Sequence, residues 1–316
     1  MAEWHISSRV ATAALLGMVA LDATLVGTVL ESTHTSGIDT SPVSSATASI
    51  DPTTAPVSPS PTASVIAAKA PLQTMLVALD DQRAWRVGAG SCSAGGATLA
   101  TTVDGGKTWA KSNANLPRIV QVRPADNQAA FIIGADSVCT AELKDTSDAG
   151  GTWSLGGYVG RAWFRDPKNP MVVSSPGPAN SQPCGKRAVL DLAVLTSGSA
   201  RVLCADGLVR STTGNGSVWS DVGKVDGAVA LAVAPLSQAE TYVARLGAPD
   251  CSGVQIMRVG QRVATSCIRA SIPKDPGQIA MSMIRGGGWL ALGNTTMRST
   301  DGLVTLRASR GIRLQS

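Results

Sequence analysis

Two stretches of this chain repeat one eight-residue pattern, Ser/Thr-x-Asp-x-Gly-x-Thr-Trp, at every defined position. They are Thr102-Val103-Asp104-Gly105-Gly106-Lys107-Thr108-Trp109 and Thr146-Ser147-Asp148-Ala149-Gly150-Gly151-Thr152-Trp153, with tryptophans 44 positions apart. Each residue type has a physical use. An aspartate in a tight turn accepts hydrogen bonds from backbone N–H groups just ahead of it. Gly106 and Gly150 supply a positive φ. The Ser or Thr hydroxyl braces the loop, and the tryptophan buries a large flat face between sheets. A recurrence of this length matches one four-stranded unit of a radial all-β array.

Two worn copies extend the array. Ser299-Thr300-Asp301-Gly302-Leu303-Val304-Thr305-Leu306 keeps Ser299, Asp301 and Thr305 but has leucine in place of the glycine and the tryptophan. The segment 211–219 keeps its turn glycines and Trp219 without an aspartate. Trp219 and Leu306 lie 87 positions apart, near two periods, so an eroded copy is expected at Arg258-Val259-Gly260-Gln261-Arg262. Short apolar runs at 83–90, 129–135, 200–205 and 288–293 precede the boxes at blade-like offsets. The 66-position gap from Trp153 to Trp219 exceeds one period, so residues 158–186 are read as a truncated blade or an insertion. Within it, Arg165-Asp166-Pro167-Lys168-Asn169-Pro170 reads as the first hairpin of a blade.

These octets resemble the Asp-box (BNR) family, seen in sialidases, sortilin-type receptors, photosystem II assembly factors and xyloglucan-degrading enzymes. The resemblance covers residues from about 70 to 316 and implies an all-β propeller of about six (five to seven) four-stranded blades. It also implies that the box, on the hairpin between the third and fourth strands, is a folding device. Thr102, Asp104, Gly106, Thr108, Trp109, Thr146, Asp148, Gly150, Thr152, Trp153, Trp219, Ser299, Asp301 and Thr305 are then structural residues.

The rest of the chain sets the context. Residues 11–30 form an apolar run long enough to cross a bilayer as a helix. Arg9 precedes it and no Lys or Arg follows until Lys69, which places residues 1–10 in the cytoplasm and the remainder outside. This is read as an uncleaved signal anchor in a single-pass membrane protein; the alternative is secretion after signal cleavage. Residues 31–68, rich in Ser, Thr and Pro, form a disordered stalk. Residues 69–316 are the propeller. All six cysteines fall there, as expected of an oxidising exterior. Six cysteines allow fifteen pairings; Cys184 with Cys204 and Cys251 with Cys267 are close in sequence, and Cys92 and Cys139 hold comparable places in successive blades.

The two histidines, His5 and His34, both precede the propeller, which excludes His-dependent triads and His-ligated metal sites from it. No catalytic residue, metal or cofactor is assigned. The formal charge of +5 is carried by scattered basic residues, unlike a nucleic-acid stripe, and suits anionic wall polymers or lipid headgroups. A sialidase-like site needs a tyrosine nucleophile with a glutamate, an acid/base aspartate and three arginines. The propeller has Tyr158 and Tyr242, Glu142 and Glu240, and no Arg-Ile-Pro signature before its first box. The reading is therefore a membrane-tethered extracytoplasmic propeller that binds or scaffolds protein or anionic cell-wall glycan partners, with no nucleic acid. A sialidase-like glycoside hydrolase is the alternative. Loops at 176–186 and 285–289 are the candidate contacts, with Trp289 expected in the core.

Overall fold

The computed structural model describes residues 73–177, 180–235 and 240–308. The expected cytoplasmic segment, anchor and stalk lie outside the described residues, as does the C-terminal stretch 309–316. Among the described residues no helix is long and apolar enough to cross a membrane.

The described residues form an all-β propeller with five four-stranded blades. The first comprises β1 (Thr74–Ala78), β2 (Ala84–Gly88), β3 (Thr98–Thr102) and β4 (Ala110–Ser112). The second comprises β5 (Arg118–Pro124), β6 (Ala130–Ala135), β7 (Ala141–Thr146) and β8 (Ser154–Leu155). A two-stranded pair follows, β9 (Phe164–Arg165) with β10 (Val173–Ser174). The third blade comprises β11 (Val189–Val194), β12 (Ala200–Cys204), β13 (Leu208–Thr212) and β14 (Ser220–Lys224). The fourth runs through β15 (Ala228–Val233), β16 (Thr241–Arg245), β17 (Val254–Arg258) and β18 (Ala264–Ile268). A short 3-10 turn at Pro276–Gln278 leads into the fifth: β19 (Ile279–Ile284), β20 (Gly287–Leu292), β21 (Thr295–Ser299) and β22 (Arg307–Ala308).

All pairing is antiparallel between consecutive strands, so each blade is built from one continuous stretch of chain. The expected apolar runs became the second strands β2, β6, β12 and β20. Every residue of β12 and β20 is buried, as expected of strands covered on both faces by neighbouring blades. The largest core cluster runs across the third, fourth and fifth blades, from Leu190 and Leu203 through Val243 and Ile256 to Leu290 and Leu303. Burying each such side chain contributes about 1.5–3 kcal/mol.

Within the expected range of five to seven blades, the described residues form five of four strands, one fewer than the preferred six. The sixth position around the axis holds only β9 and β10, in contact with β5 on one side and β11 on the other. The 165–170 segment is also not the first hairpin of a blade. In the five complete blades, the turns after the first and third strands share one end of the propeller. In four of them backbone bonds tie the two turns together: Gly105 to Gln82 (2.8 Å), Ala149 to Gln128 (2.8 Å), Asn215 to Gly198 (2.9 Å) and Gly302 to Gly286 (3.0 Å). Trp163, just before β9, donates from Nε1 to Ser197 O at that end (2.8 Å). Beyond the turn that follows β9, Pro170 O accepts from Val189 N at the start of β11, the opposite end (2.8 Å). β9 thus runs as a second strand does, and the first strand of this blade is missing.

Sequence position agrees. Ala162-Trp163 matches Ala84-Trp85 and Gly288-Trp289, and each of these tryptophans meets a box tryptophan edge to face. The pairs are Trp85–Trp153 (6.1 Å between ring centroids), Trp289–Trp109 (6.4 Å) and Trp163–Trp219 (6.0 Å). The second of these closes the ring between the fifth blade and the first, helped by Ala78 N donating to Ser282 Oγ (3.0 Å).

Candidate functional site

The inner strands β1, β5, β11, β15 and β19, with Arg165 of β9, enclose an axial channel of about 410 Å³. Short apolar side chains and strand backbone dominate its wall. Asp191 is the one acidic residue in that lining. It follows a bulge in β11 and crosses to the next blade, where Oδ2 accepts from Leu231 N (2.8 Å), while Oδ1 accepts from Leu192 N (2.8 Å). Burial pushes its carboxyl up to about 6, against the pull of Arg165 and the two amides. Arg165, itself buried, donates from Nη1 to Leu190 O (2.8 Å). Arg165, through Leu190 O, and Asp191, through Leu231 N, therefore stitch the blade that lost its first strand to the two after it. Chemically it is one carboxylate held by fixed partners.

A glycosidase of the two-carboxylate type needs two facing acids, and a sialidase-like one needs arginines around a tyrosine–glutamate pair. Arg123 and Arg165 both line the channel, and Arg118 and Arg165 share a small recess beside it. The tyrosine–glutamate pair does form: Tyr242 Oη donates to Glu240 Oε2 (3.1 Å), and Arg258 Nη1 lies 3.0 Å from Glu240 Oε1. Tyr242 and Arg258 sit on β16 and β17 of the fourth blade and Glu240 just before β16, outside the channel lining. The arginines and the Tyr–Glu pair are thus in different parts of the molecule. Among the described residues no group of three or more His, Cys, Asp or Glu converges.

The box residues form one repeated turn. Thr102 Oγ1 donates to Asp104 Oδ1 (2.9 Å) and accepts from Gly106 N (3.0 Å). Asp104 Oδ1 accepts from Thr108 N (3.0 Å) and Oδ2 from Thr108 Oγ1 (2.7 Å). Thr146, Asp148, Gly150 and Thr152 repeat these bonds at 2.7–3.0 Å. Ser299, Asp301, Leu303 and Thr305 repeat them at 2.5–3.0 Å. Hydrogen bonds to the ionised form hold all three carboxyls down to about 2, with partial burial opposing this at Asp104. In the copy without aspartate, Gly214 N still donates to Thr212 Oγ1 (3.3 Å), and Asn215 and Gly216 keep the positive φ pair.

Leu303 explains how the fifth box lost its glycine. It takes φ +69° and is wholly buried. In the first three blades the box carries a glycine and the second-strand residue paired with the box threonine is alanine: Ala84, Ala130 and Ala200 pair with Thr102, Thr146 and Thr212. In the fifth blade that position is Gly288, paired with Ser299, and a Cβ there would lie 2.6 Å from Leu303 Cδ2. Glycine and the larger residue have exchanged sides. The box residue Leu306 likewise stands where the preceding blade offers Tyr242 instead of a tryptophan, and both pack on the same core cluster.

The disulfides are Cys92–Cys139, Cys184–Cys204 and Cys251–Cys267, with no free cysteine among the described residues. All three lie at the end away from the boxes. Cys92 and Cys139 join the β2–β3 and β6–β7 loops of adjacent blades. Cys184 leads into β11 and pairs with the last residue of β12. Cys251 lies in the β16–β17 loop and pairs with β18. The candidate loop at 176–186 contributes Cys184 to this end, with residues 178–179 outside the described set. The 285–289 candidate is a turn at the box end, with Trp289 buried. Sequence reasoning missed Asp191, read Arg165 only as part of a hairpin, and did not foresee that second-strand tryptophans receive the box tryptophans. The Ala-Trp of 84–85 and 162–163 was the available signal.

No family model matches the chain, and no curated protein is similar enough to match it. Among solved structures it is similar to YCF48 bound to D1 peptide (18% identity over 73% of this chain and 65% of that one, TM-score 0.28). It is also similar to the GH74 enzyme of Niastella koreensis (13%, 73% and 45%, TM-score 0.40). A third is XC5397 from Xanthomonas campestris, a gluconolactonase (14%, 77% and 78%, TM-score 0.37). The chain thus spans less than two thirds of the length of the first two.

Proposed function

We propose that this propeller is an extracytoplasmic binding or scaffold module for protein or cell-wall glycan partners. The observation that carries this reading is the placement of every disulfide at one end of the ring. Loops pinned before a partner arrives lose less entropy on binding, so pre-organisation strengthens association. Covalent staples also fit an oxidising compartment. The axial channel offers one carboxylate already committed to two amides beside Arg165, which favours binding over hydrolysis. The test is retention of a wall glycan or a single envelope protein by the immobilised full-length chain, before and after reduction. Retention that falls on reduction supports the reading; retention of neither class by the oxidised protein removes it.

The Tyr242–Glu240–Arg258 contact favours one second reading, a sialidase-like glycoside hydrolase. Its test is release of fluorophore from an aryl sialoside, abolished by Tyr242→Phe.

A further inference from the structure

We propose that the axial channel binds a small organic monocarboxylate, with Arg123 holding the carboxylate at the mouth and the apolar body lying inside. This goes beyond the partner surface proposed above, because the channel opens at the other end of the ring.

The lining fixes that direction. It begins at Met75, Val120, Asp191, Leu231 and Ala280, inside the first residues of the inner strands, and runs past their far ends to Leu79, Leu195 and Pro235. Those far ends lead into the turns at the box end. The inner end is marked by Asp191 and Arg165, both already held by backbone partners.

Arg123 stands near the mouth, on β5. Its cross-strand partner is Phe131, and its guanidinium carbon lies 5.9 Å from the centre of that ring. Phe131 packs with Val120, Ile133 and Phe164 of β9, so this face of the second blade looks towards the incomplete blade. The first strand missing there would have stood beside Arg123. Among the described residues the guanidinium makes the ring contact and no hydrogen bond or ion pair. Burial holds it below the ordinary arginine range, with no acid to offset the loss of water. Recessed charges are normally paired, and a guanidinium with one face on a ring keeps its donor edge for a carboxylate. By contrast, Arg86 donates to Gly293 O and Asn294 O, and Arg201 to Thr241 Oγ1. Arg118 Nε is also buried without a partner, but the recess it shares with Arg165 holds only about 10 Å³, room for a water.

Charge and shape choose the occupant. Asp191, the one acid in the lining, is offset by Arg165, so Arg123 leaves one positive charge to balance. A carboxylate supplies that charge, whereas a phosphate monoester carries nearly two. Between Arg123 and the level of Val120 the channel runs about 10 Å, past Val77, Ala193, Ala232, Met281 and Met283. Those walls suit a hydrocarbon ring or short chain, and the volume of about 410 Å³ falls in the range of small-molecule sites.

The test is isothermal titration calorimetry of the full-length protein with hydrocinnamate and with cyclohexanecarboxylate, against hydrocinnamamide and acetate as controls. Saturable binding of at least one acid is expected, with neither the neutral amide nor the bodiless anion matching it. Arg123→Gln should weaken the acid about tenfold or more, the scale of a lost hydrogen bond to a charged group. Its melting temperature should be unchanged or higher, because a recessed unpaired charge is removed. Arg123→Lys should keep part of the affinity, and Ala193→Leu should abolish it by filling the channel. Binding of neither acid overturns the proposal and leaves the partner surface untouched. Binding that survives Arg123→Gln or Ala193→Leu places the acid elsewhere and overturns it. Equal affinity for the amide or for acetate overturns it too, by removing the need for the charge or for the apolar body. A fall in melting temperature with Arg123→Gln, without a change in affinity, makes the residue structural.

Discussion

At one end of the propeller, Thr102, Asp104 and Thr108 close a turn with hydrogen bonds that reach at most four residues along the chain. At the other, Cys92 and Cys139 join loops 47 positions apart. The first arrangement is local, repeated in three blades and spent entirely within its own turn. The second is long-range, covalent and different in each instance. Local turns specify a hairpin, and repeating them specifies a ring. Staples between loops add little to that specification, because box turns and inter-blade tryptophans already define it. They fix the shape of a surface, which is why we place binding there.

The comparison breaks most readily at the ring closure. Trp289 is fully buried against Trp109 and joins the last blade to the first. Trp289→Ala should cost about 3–5 kcal/mol, the usual loss for emptying a large core aromatic site. Chemical denaturation measures this, and a loss below 1 kcal/mol would mean that the ring closes by other contacts.

Reductant and acid should act on opposite ends. Opening Cys251–Cys267, whose partners are 16 positions apart, should cost about 2–4 kcal/mol and speed amide exchange in the β16–β17 loop before the box turns. Acid should do the reverse. The folded carboxyls of Asp104, Asp148 and Asp301 sit near 2, below their unfolded value of about 3.9. Their contribution is present above that value and fades as pH falls through it towards 2. Asp191, raised to about 6, has the opposite sign: its protonation favours the fold as pH falls from 6 towards 4. Hydrogen exchange at Thr108, Thr152 and Thr305 between pH 4 and 2 reads the box effect. Simultaneous loosening of both ends under either agent would erase the distinction.

The smallest of these effects is at the exchanged pair in the fifth box. Gly288→Ala should cost about 1–3 kcal/mol by overpacking against Leu303. Adding Leu303→Gly should recover part of that loss, because the pair then matches the Ala–Gly arrangement of the first three blades. Additive losses in a double-mutant cycle would show that the two positions are independent.

What was legible in the sequence follows the same division. Boxes are legible because the hydrogen bonds of their Ser/Thr and Asp side chains reach at most four residues, so composition at fixed offsets carries the turn geometry. The lost first strand of the incomplete blade was not. Its absence leaves only an irregular gap, which is compatible with a truncated blade or an insertion and does not say which strand is missing; Arg165-Asp166-Pro167 reads as an opening hairpin, whereas Trp163 places β9 as a second strand. Asp191 was illegible for a different reason: its environment comes from Leu231 and Arg165, which are distant in sequence. The short-range cysteine pairs could be read from proximity. Cys92 with Cys139 needed the repeat, since only equivalent loops in adjacent blades bring them together.

The most direct test of the account uses two matched surface valines. Val138, 68% exposed, sits beside Cys139 in a loop whose backbone is also braced by Asp136. Val103, 71% exposed, sits in the first box turn. The dissociation constant of whichever glycan or envelope protein the wild type retains should be measured for Val138→Arg and for Val103→Arg. The account predicts weakening of about tenfold or more for Val138→Arg, the scale of a disrupted contact residue, and no change for Val103→Arg. The opposite pattern would place the working surface at the box end and contradict it.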